Sequence, residues 1–455
     1  MIQKNQTIAL TCARLGAELE GICRHEGQTV FVEGALPGEK ISARVLKVAP
    51  RYAFAQMLSL ENPSKDRREP FCPVYDQCGG CSGQHMCYDA TLEAKWQNVL
   101  DSLNRVGGLG LTEEQVPPVL GAGAPLRGRN KTSLPVGGTI DEPVLGFYRK
   151  RSHRLVSIED CPVAMAGVSR VIQVVKEWMR QSRVWPYDEE THQGTLRHVV
   201  VRTTRKGEMM VLLVAAAATL PDIPLLVSQL TGRVKGFCGL HLSVNTAHNN
   251  VILGDNCHKL YGEDALVEEL LGLEFEISPL SFFQVNPAQT EKLYQQAIAF
   301  AALSPEDLVV DAYAGAGTIA LCMARQAKKV IGIEIVPQAV DSAWRNARRN
   351  HIDNVEFYTA AVEDKLPALV AKGLRPEVVV LDPPRRGVEP AVIQAVLKAA
   401  PRRVVYVSCH VPTQARDIAL LVQGGYRFEA CQPVDMFCYA SGVENVVSLV
   451  RGETL

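Results

Sequence analysis

No apolar run in this 455-residue chain approaches the ~20 residues needed to span a bilayer. The longest candidate, Val211 to Leu220, stops at Pro221-Asp222, so no membrane-spanning helix is expected. The first residues, MIQKNQTIALTCARLG, lack a basic start, an apolar stretch and a small-residue cleavage site in the order export requires. The cytoplasm is the expected compartment. Neither sign of charge is in excess: 48 Lys and Arg stand against 49 Asp and Glu, which excludes a uniformly basic nucleic-acid binder while leaving room for local patches. Repeats of fixed period and low-complexity tracts are missing, and 47% hydrophobic residues with 35 Gly and 26 Pro exclude a disordered or fibrous chain. The thirteen cysteines are odd in number and scattered, except for Cys72, Cys78, Cys81 and Cys87. A fully paired disulfide framework does not fit them, which leaves metal or nucleophile chemistry.

Length and patterning predict three parts. Residues 1–63 alternate short β-type runs with Gly-bearing turns, as in a small β-barrel of oligonucleotide-binding type, and the polar stretch ENPSKDRREP follows. Residues 64–277 hold the cysteines, a helix over Thr91–Val106 expected to pack on the third part, and a mixed, mostly β region with helices over Ala164–Gln181 and Leu220–Leu230. Residues 278–455 repeat strand, turn and helix, the pattern of an α/β domain with a parallel sheet. Between Arg127 and Arg154 seven cations (Arg127, Arg129, Lys131, Arg149, Lys150, Arg151, Arg154) face only Asp141 and Glu142. A second cationic group, Arg197, Arg202, Arg205 and Lys206, falls on an expected strand hairpin. Either could contact phosphate or be an ordinary solvated face.

In VVDAYAGAG (Val309–Gly317) a strand meets a helix through glycines that permit close approach of a ligand. Glu334 ends the next strand 23 residues after Asp311, where a carboxylate can accept two hydrogen bonds from ribose hydroxyls. No phosphate-loop lysine follows, and the turn is short of the dinucleotide fingerprint, so a nucleoside without a pyrophosphate, S-adenosylmethionine, fits best. Asp382-Pro383-Pro384 and Cys409 end two further strands and should reach the same crevice. Glu444 lies between apolar stretches in VDMFCYASGVENVVSLV. Cys409 could instead be a buried packing residue and Glu444 a solvated turn residue.

Six segments in this order, SFFQVN (Ser281–Asn286), DAYAGAG, GIEIV, LDPPRRG, YVSC and Val443-Glu444, resemble the RNA (uracil-5-)-methyltransferase family. The barrel resembles its TRAM domain and the cysteine cluster its iron–sulfur segment. The resemblance implies a class I methyltransferase sheet of Rossmann type, S-adenosylmethionine contacts from Gln284, Tyr313, Glu334 and Asp382, Cys409 as nucleophile and Glu444 as base. It implies an RNA partner, ribosomal RNA of the 23S type rather than tRNA; the chain itself points to no membrane and shows no evident obligate protein partner. This chain departs from the family pattern at His410, Val411, Cys438, Ala440, Gly442 and Ala361.

C5 of uracil is a poor nucleophile, and thiolate attack at C6 would activate it, with a base then removing the C5 proton. A stacked base could not meet Cys409 face-on, so the target should be unpaired or flipped out. Two other readings compete: a non-catalytic RNA-binding or chaperone-like protein with an eroded site, and a methyltransferase acting on tRNA, DNA or another base.

Cys72, Cys78 and Cys81 supply three soft ligands, and by resemblance Cys161 is the fourth. Four thiolates can hold a [4Fe–4S] cluster or one zinc, and spacing alone does not separate them or exclude Cys87 as the fourth.

Overall fold

The computed structural model describes residues 2–254 and 256–452. The outermost residues of the expected terminal parts, 1 and 453–455, lie outside the described residues.

Five strands, β1 (Thr7–Leu15), β2 (Gly21–His25), β3 (Gln28–Glu33), β4 (Lys40–Val48) and β5 (Tyr52–Leu60), close a barrel in the order β1-β2-β3-β5-β4. Ile8, Leu10 and Cys12 alternate with exposed neighbours along β1, so one face of each pleat fills the barrel interior. The cysteine segment leads into α1 (Tyr88–Arg105), capped by Cys87 and so starting three residues before the expected helix.

The central region is a seven-stranded sheet. Its strands are β6 (Lys131–Gly138), β7 (Pro143–Tyr148), β8 (Leu155–Ser157), β9 (Leu196–Thr203), β10 (Met209–Ala215), β11 (Phe237–Val244) and β12 (Asn256–Gly262), ordered β12-β11-β10-β9-β6-β7-β8. Helices α2 (Val168–Gln181) and α3 (Ile223–Arg233) share a core with it around the fully buried Trp178. Both begin later than the sequence suggests. Ala164 bridges to Arg129 and Gly167 turns left-handed (φ 96°) to start α2, while Pro221-Asp222 delays α3. The hairpin expected around residues 197–215 forms as β9 and β10, buried along their whole lengths.

A short hairpin, β13 (Leu266–Leu270) and β14 (Leu273–Ile277), precedes α4 (Pro287–Ala301). The expected boundary at 277 groups it with the central part, yet Leu266, Leu270, Phe275 and Ile277 pack into the core of the last sheet. That sheet contains β15 (Leu308–Ala312), β16 (Lys329–Glu334), β17 (Val355–Thr359), β18 (Val378–Leu381), β19 (Arg403–Ser408), β20 (Tyr426–Val434) and β21 (Glu444–Arg451). Their order is β17-β16-β15-β18-β19-β21-β20, parallel except for β21, which runs antiparallel to both neighbours. Between the strands lie α5 (Thr318–Ala324), α6 (Pro337–Arg349), α7 (Val362–Ala371), α8 (Pro390–Ala399) and α9 (Val411–Gln423). One face buries α4, α5 and α6; the other buries α7, α8 and α9 with Val99, Leu100 and Leu103 of α1. Continuous apolar runs such as Val378–Leu381 are the expected text for strands covered on both faces. The doubly covered, mostly parallel sheet has the architecture expected of a class I methyltransferase domain, joined to a small closed barrel and a mixed, mostly β central region.

Candidate active site

In a parallel sheet the loops leaving the C-terminal strand ends form the ligand crevice, and here the order of strands reverses between β15 and β18. Around that point stand Tyr313 after β15, Glu334 at the end of β16, Asp382 after β18, Cys409 after β19 and Glu444 at the start of β21. Because β21 runs antiparallel, its first residue, not its last, reaches the rim. Gln284 approaches from the segment before α4, its carbonyl accepting a hydrogen bond from Asn130 Nδ2 at 3.0 Å.

The turn after β15 is tightly determined. Tyr313 (φ 74°), Gly315 (φ 56°) and Gly317 (φ 78°) are all left-handed, so the chain doubles back and opens the N-terminus of α5. Glu334 accepts the Gly315 amide at 3.0 Å and the Val336 amide at 2.8 Å, which fixes its carboxylate beside the turn with lone pairs left for a ligand. Asp311, in β15 just before the turn, is buried without a well-formed hydrogen bond to either oxygen, the Ala320 amide being its nearest donor. Burial first, then Asp382, holds its carboxyl well above the usual range. A restrained acceptor, a poorly bonded carboxyl and a glycine turn suit the hydroxyls and amino group of a nucleoside with a cationic tail.

Two more carboxyls are perturbed. Burial pushes Asp382 up to about 7, although part of it faces the crevice. Burial, reinforced by Asp382 and opposed by Arg385, pushes Glu444 up to about 8. The half-buried Cys409 thiol is raised by burial and by Glu444, while a hydrogen bond from Arg385 works the other way. Arg385 is thus the cation serving both groups, and it sits in the Asp-Pro-Pro-Arg-Arg segment that sequence reading used only for Asp382.

The departures at the strand ends have local consequences. His410 N-caps α9, its Nδ1 accepting the Thr413 amide at 3.4 Å, and Pro412 falls in the first turn, so the exit from the Cys409 strand keeps a cap and a proline. Ala361 precedes α7 without a side-chain cap. Cys438 Sγ lies 3.7 Å from Tyr88 Oη.

These relations decide identity when set beside known proteins. Residues 146–452 match the family model described as tRNA (uracil-5-)-methyltransferase, and residues 3–58 match the TRAM domain. The chain belongs to the uracil-5-methyltransferase family. It is a member of that family of RNA methyltransferases, enzymes that use S-adenosylmethionine. Relatives named as uncharacterized RNA methyltransferases from Clostridium tetani and Halalkalibacterium halodurans are 41% and 42% identical, with 98% of this chain covered in both and 96% and 98% of theirs. The solved Pyrococcus abyssi tRNA (uracil-54, C5)-methyltransferase, in complex with S-adenosyl-L-homocysteine, superposes with a TM-score of 0.79 at 27% identity, over 97% of this chain and all of that one.

Elsewhere in this methyltransferase, Cys72, Cys78, Cys81 and Cys161 line one enclosed cavity beside Gln84 and Arg129. Burial and the neighbouring thiols push Cys81 up to about 11 and raise Cys78, while burial and Cys72 raise Cys161. A cation among them would reverse that repulsion, and four soft donors suit either a cluster or zinc. No closely gathered metal-ligating group occurs among the described residues. Cys87 is not part of this wall; its Sγ lies 3.7 Å from Asp66 Oδ1.

The cationic groups divide differently from the sequence expectation. Arg202 is buried against the carbonyls of Pro279 and Ser281, Arg197 pairs with Glu189, and Arg205 pairs with Glu268 and Glu291. Arg202 and Arg205 thus tie the central sheet to the 279–281 segment, β13 and α4, Lys206 faces Glu269 at 4.0 Å, and the second cluster offers no continuous cationic face among the described residues. In the first cluster Arg127 pairs with Asp160 and Lys150 with Glu33 of the barrel, and Arg151 lies over the Phe54 ring. Arg149 and Arg154 are exposed without a carboxylate partner among the described residues. No helix among the described residues is long and apolar enough to cross a membrane.

Proposed function

We propose that this enzyme methylates C5 of a uridine in 23S ribosomal RNA through a covalent adduct between Cys409 and C6, with Glu444 as the base. The reading is carried by one observation: Cys409 after β19 and Glu444 at the start of the antiparallel β21 stand at the same sheet rim, near enough that Glu444 raises the thiol and Arg385 acts on both. Cys409 Sγ bonds to C6 and the C5=C6 electron pair moves toward the C4 carbonyl, making C5 nucleophilic. C5 then bonds to the methyl carbon of S-adenosylmethionine, which Gln284, Tyr313, Glu334 and Asp382 would hold, as the S–CH3 bond breaks and S-adenosylhomocysteine leaves with the electron pair. Glu444 then takes the C5 proton, the electrons left behind re-form C5=C6, and the Cys409 thiolate departs. Arg385 favours that thiolate by its charge. The target uridine is unpaired or flipped out, since Cys409 must approach its face.

Cys72, Cys78, Cys81 and Cys161 hold a [4Fe–4S] cluster in this reading, with zinc as the alternative, and the enzyme works in the cytoplasm. The barrel together with an iron–sulfur segment favours ribosomal RNA. A tRNA substrate is the second reading, favoured by the whole-chain likeness to the archaeal tRNA enzyme. Mass spectrometry of separated ribosomal and transfer RNA, from cells with and without the gene, decides between them. Cys409→Ala should abolish 5-methyluridine formation and leave S-adenosylmethionine binding intact. Turnover by that variant would refute the covalent route.

A further inference from the structure

Glu444 is delivered to the crevice by the loop that follows β20, and that loop is held chiefly by residues more than 300 positions earlier. Asp435, at its start, is fully buried. Lys95 of α1, also fully buried, donates from Nζ to Asp435 Oδ1 at 2.5 Å and to the Phe437 carbonyl at 2.9 Å. Tyr88 of α1 donates from Oη to Asp435 Oδ2 at 2.5 Å. In mid-loop the Tyr439 carbonyl accepts two hydrogen bonds, from the Ser82 and Gly83 amides, both at 2.9 Å. Those amides directly follow Cys81. Tyr439 itself is left-handed (φ 60°), and its ring meets Phe71 and Tyr88 edge-on or tilted, with centroids 5.0 and 5.5 Å away. Ser441 closes the far end by donating to Glu18 in the barrel at 2.9 Å.

A fully buried Lys–Asp pair is poor value as a stabiliser, because desolvation offsets most of its attraction, but it enforces one geometry strongly. Charge-assisted bonds on both carboxylate oxygens leave Asp435 a single orientation. The left-handed Tyr439 carbonyl, doubly bonded, fixes the loop at a second point five residues before Glu444. We infer that α1 and the cysteine turn form a positioning scaffold for Glu444, with Tyr88 and Lys95 as its positioning residues and the Tyr439 carbonyl as its attachment beside Cys81. The inference rests on Glu444 being the base. Order in the cysteine turn is thereby transmitted to the proton-accepting step, although the cysteine cavity contributes no group to the reaction. Three of the departures from the family pattern, Cys438, Ala440 and Gly442, fall in or beside the stretch held by these contacts.

The test uses the full-length protein as Tyr88→Phe, which removes one oxygen, and Lys95→Met, which keeps the length of the side chain without its charge. Amide hydrogen exchange over residues 436–443 should speed up in both. In single-turnover reactions with RNA, decay of the protein–RNA adduct should slow about tenfold, as expected for losing a hydrogen bond to a charged group, while methyl transfer changes less than about twofold. Cys81→Ser should also raise exchange over 436–443. Unchanged exchange in Tyr88→Phe and Lys95→Met would overturn the scaffold, and unchanged exchange in Cys81→Ser would detach the cysteine turn from it. Equal slowing of methyl transfer and adduct decay would show a general loss of fold and also overturn the assignment. Glu444→Gln is the internal standard. If its adduct decays normally, the base assignment has failed, and the exchange measurements still judge the scaffold.

Discussion

Glu444→Gln separates the chemistry of the base from its burden on the fold. Burial moves the Glu444 carboxyl from its usual 4.5 to about 8. Between those values the folded protein keeps a proton that the unfolded chain has released. Stability therefore falls as pH rises through this window, and the loss is complete above about 8. Each unit within it costs about 1.4 kcal/mol, so by pH 7 the carboxyl has cost the fold ~3 kcal/mol relative to pH 4.5, an upper value because Asp382 titrates nearby and the two are coupled. Glutamine keeps the shape and removes the titration. For a cooperative unit of 150–250 residues, ~3 kcal/mol corresponds to roughly 6–12 °C in Tm. Calorimetry should find Glu444→Gln more stable than the parent at pH 8, with the gap closing toward pH 5. The same variant mixed with RNA and S-adenosylmethionine should accumulate a methylated protein–RNA adduct on denaturing gels, since attack and transfer precede the blocked step. In the parent, adduct decay should rise with pH as burial holds the Glu444 carboxyl above its usual range, and then level off once it is ionised in the adduct. A Tm gap that is the same at both pH values would refute the burial argument. Inactivity without an adduct, in a variant that still binds RNA, would refute the role of Glu444.

If the four cysteines hold a [4Fe–4S] cluster as proposed, anaerobically purified protein should carry about four iron per chain. Cys161→Ser should lose that metal and Cys87→Ser keep it, read by metal analysis and absorbance; the reverse result would move the fourth ligand to Cys87, and stoichiometric zinc would replace the cluster. For RNA binding, the unpaired Arg149 and Arg154 are the cations to neutralise. The double change to alanine should flatten the dependence of log affinity on log salt by ~1 to 2 units, at about one phosphate per cation, and leave cofactor affinity unchanged. An unchanged slope would make this face an ordinary solvated one. Lys150→Ala should act differently, loosening the barrel by removing its bond to Glu33, which is visible as faster hydrogen exchange in residues 28–33.

The order of strands and helices after residue 278 was legible because each element announces itself locally. Apolar runs such as Val378–Leu381, rich in Val and bounded by Pro and Gly segments, suit a doubly covered strand, and the glycines after Asp311 suit a tight left-handed turn. Chain order also put Cys409 and Asp382 at strand ends on the same rim, since parallel strands share a direction. Helix starts were less legible. Gly167 and Pro221-Asp222 set them through backbone angles that apolar periodicity does not register.

Whom a side chain meets was decided by tertiary structure. Arg197, Arg202 and Arg205 look like a nucleic-acid face along the chain, yet each finds carbonyls or carboxylates from residues 8 to 86 positions away. Cys161 rather than Cys87 joins the other three thiols because the β8–α2 loop folds back over the cysteine turn, whereas Cys87 is drawn away as the cap of α1. Asp435 reads as an acidic residue in an apolar run, and nothing near it in sequence hints at Lys95 or Tyr88, 340 and 347 positions earlier. The chain by itself determined which residues could do chemistry and on which kind of element each would sit, because spacing controls backbone geometry and the face presented. Charge state and orientation belonged to the fold alone. They depend on burial and on partners within a few ångströms in space, and separation along the chain does not measure either.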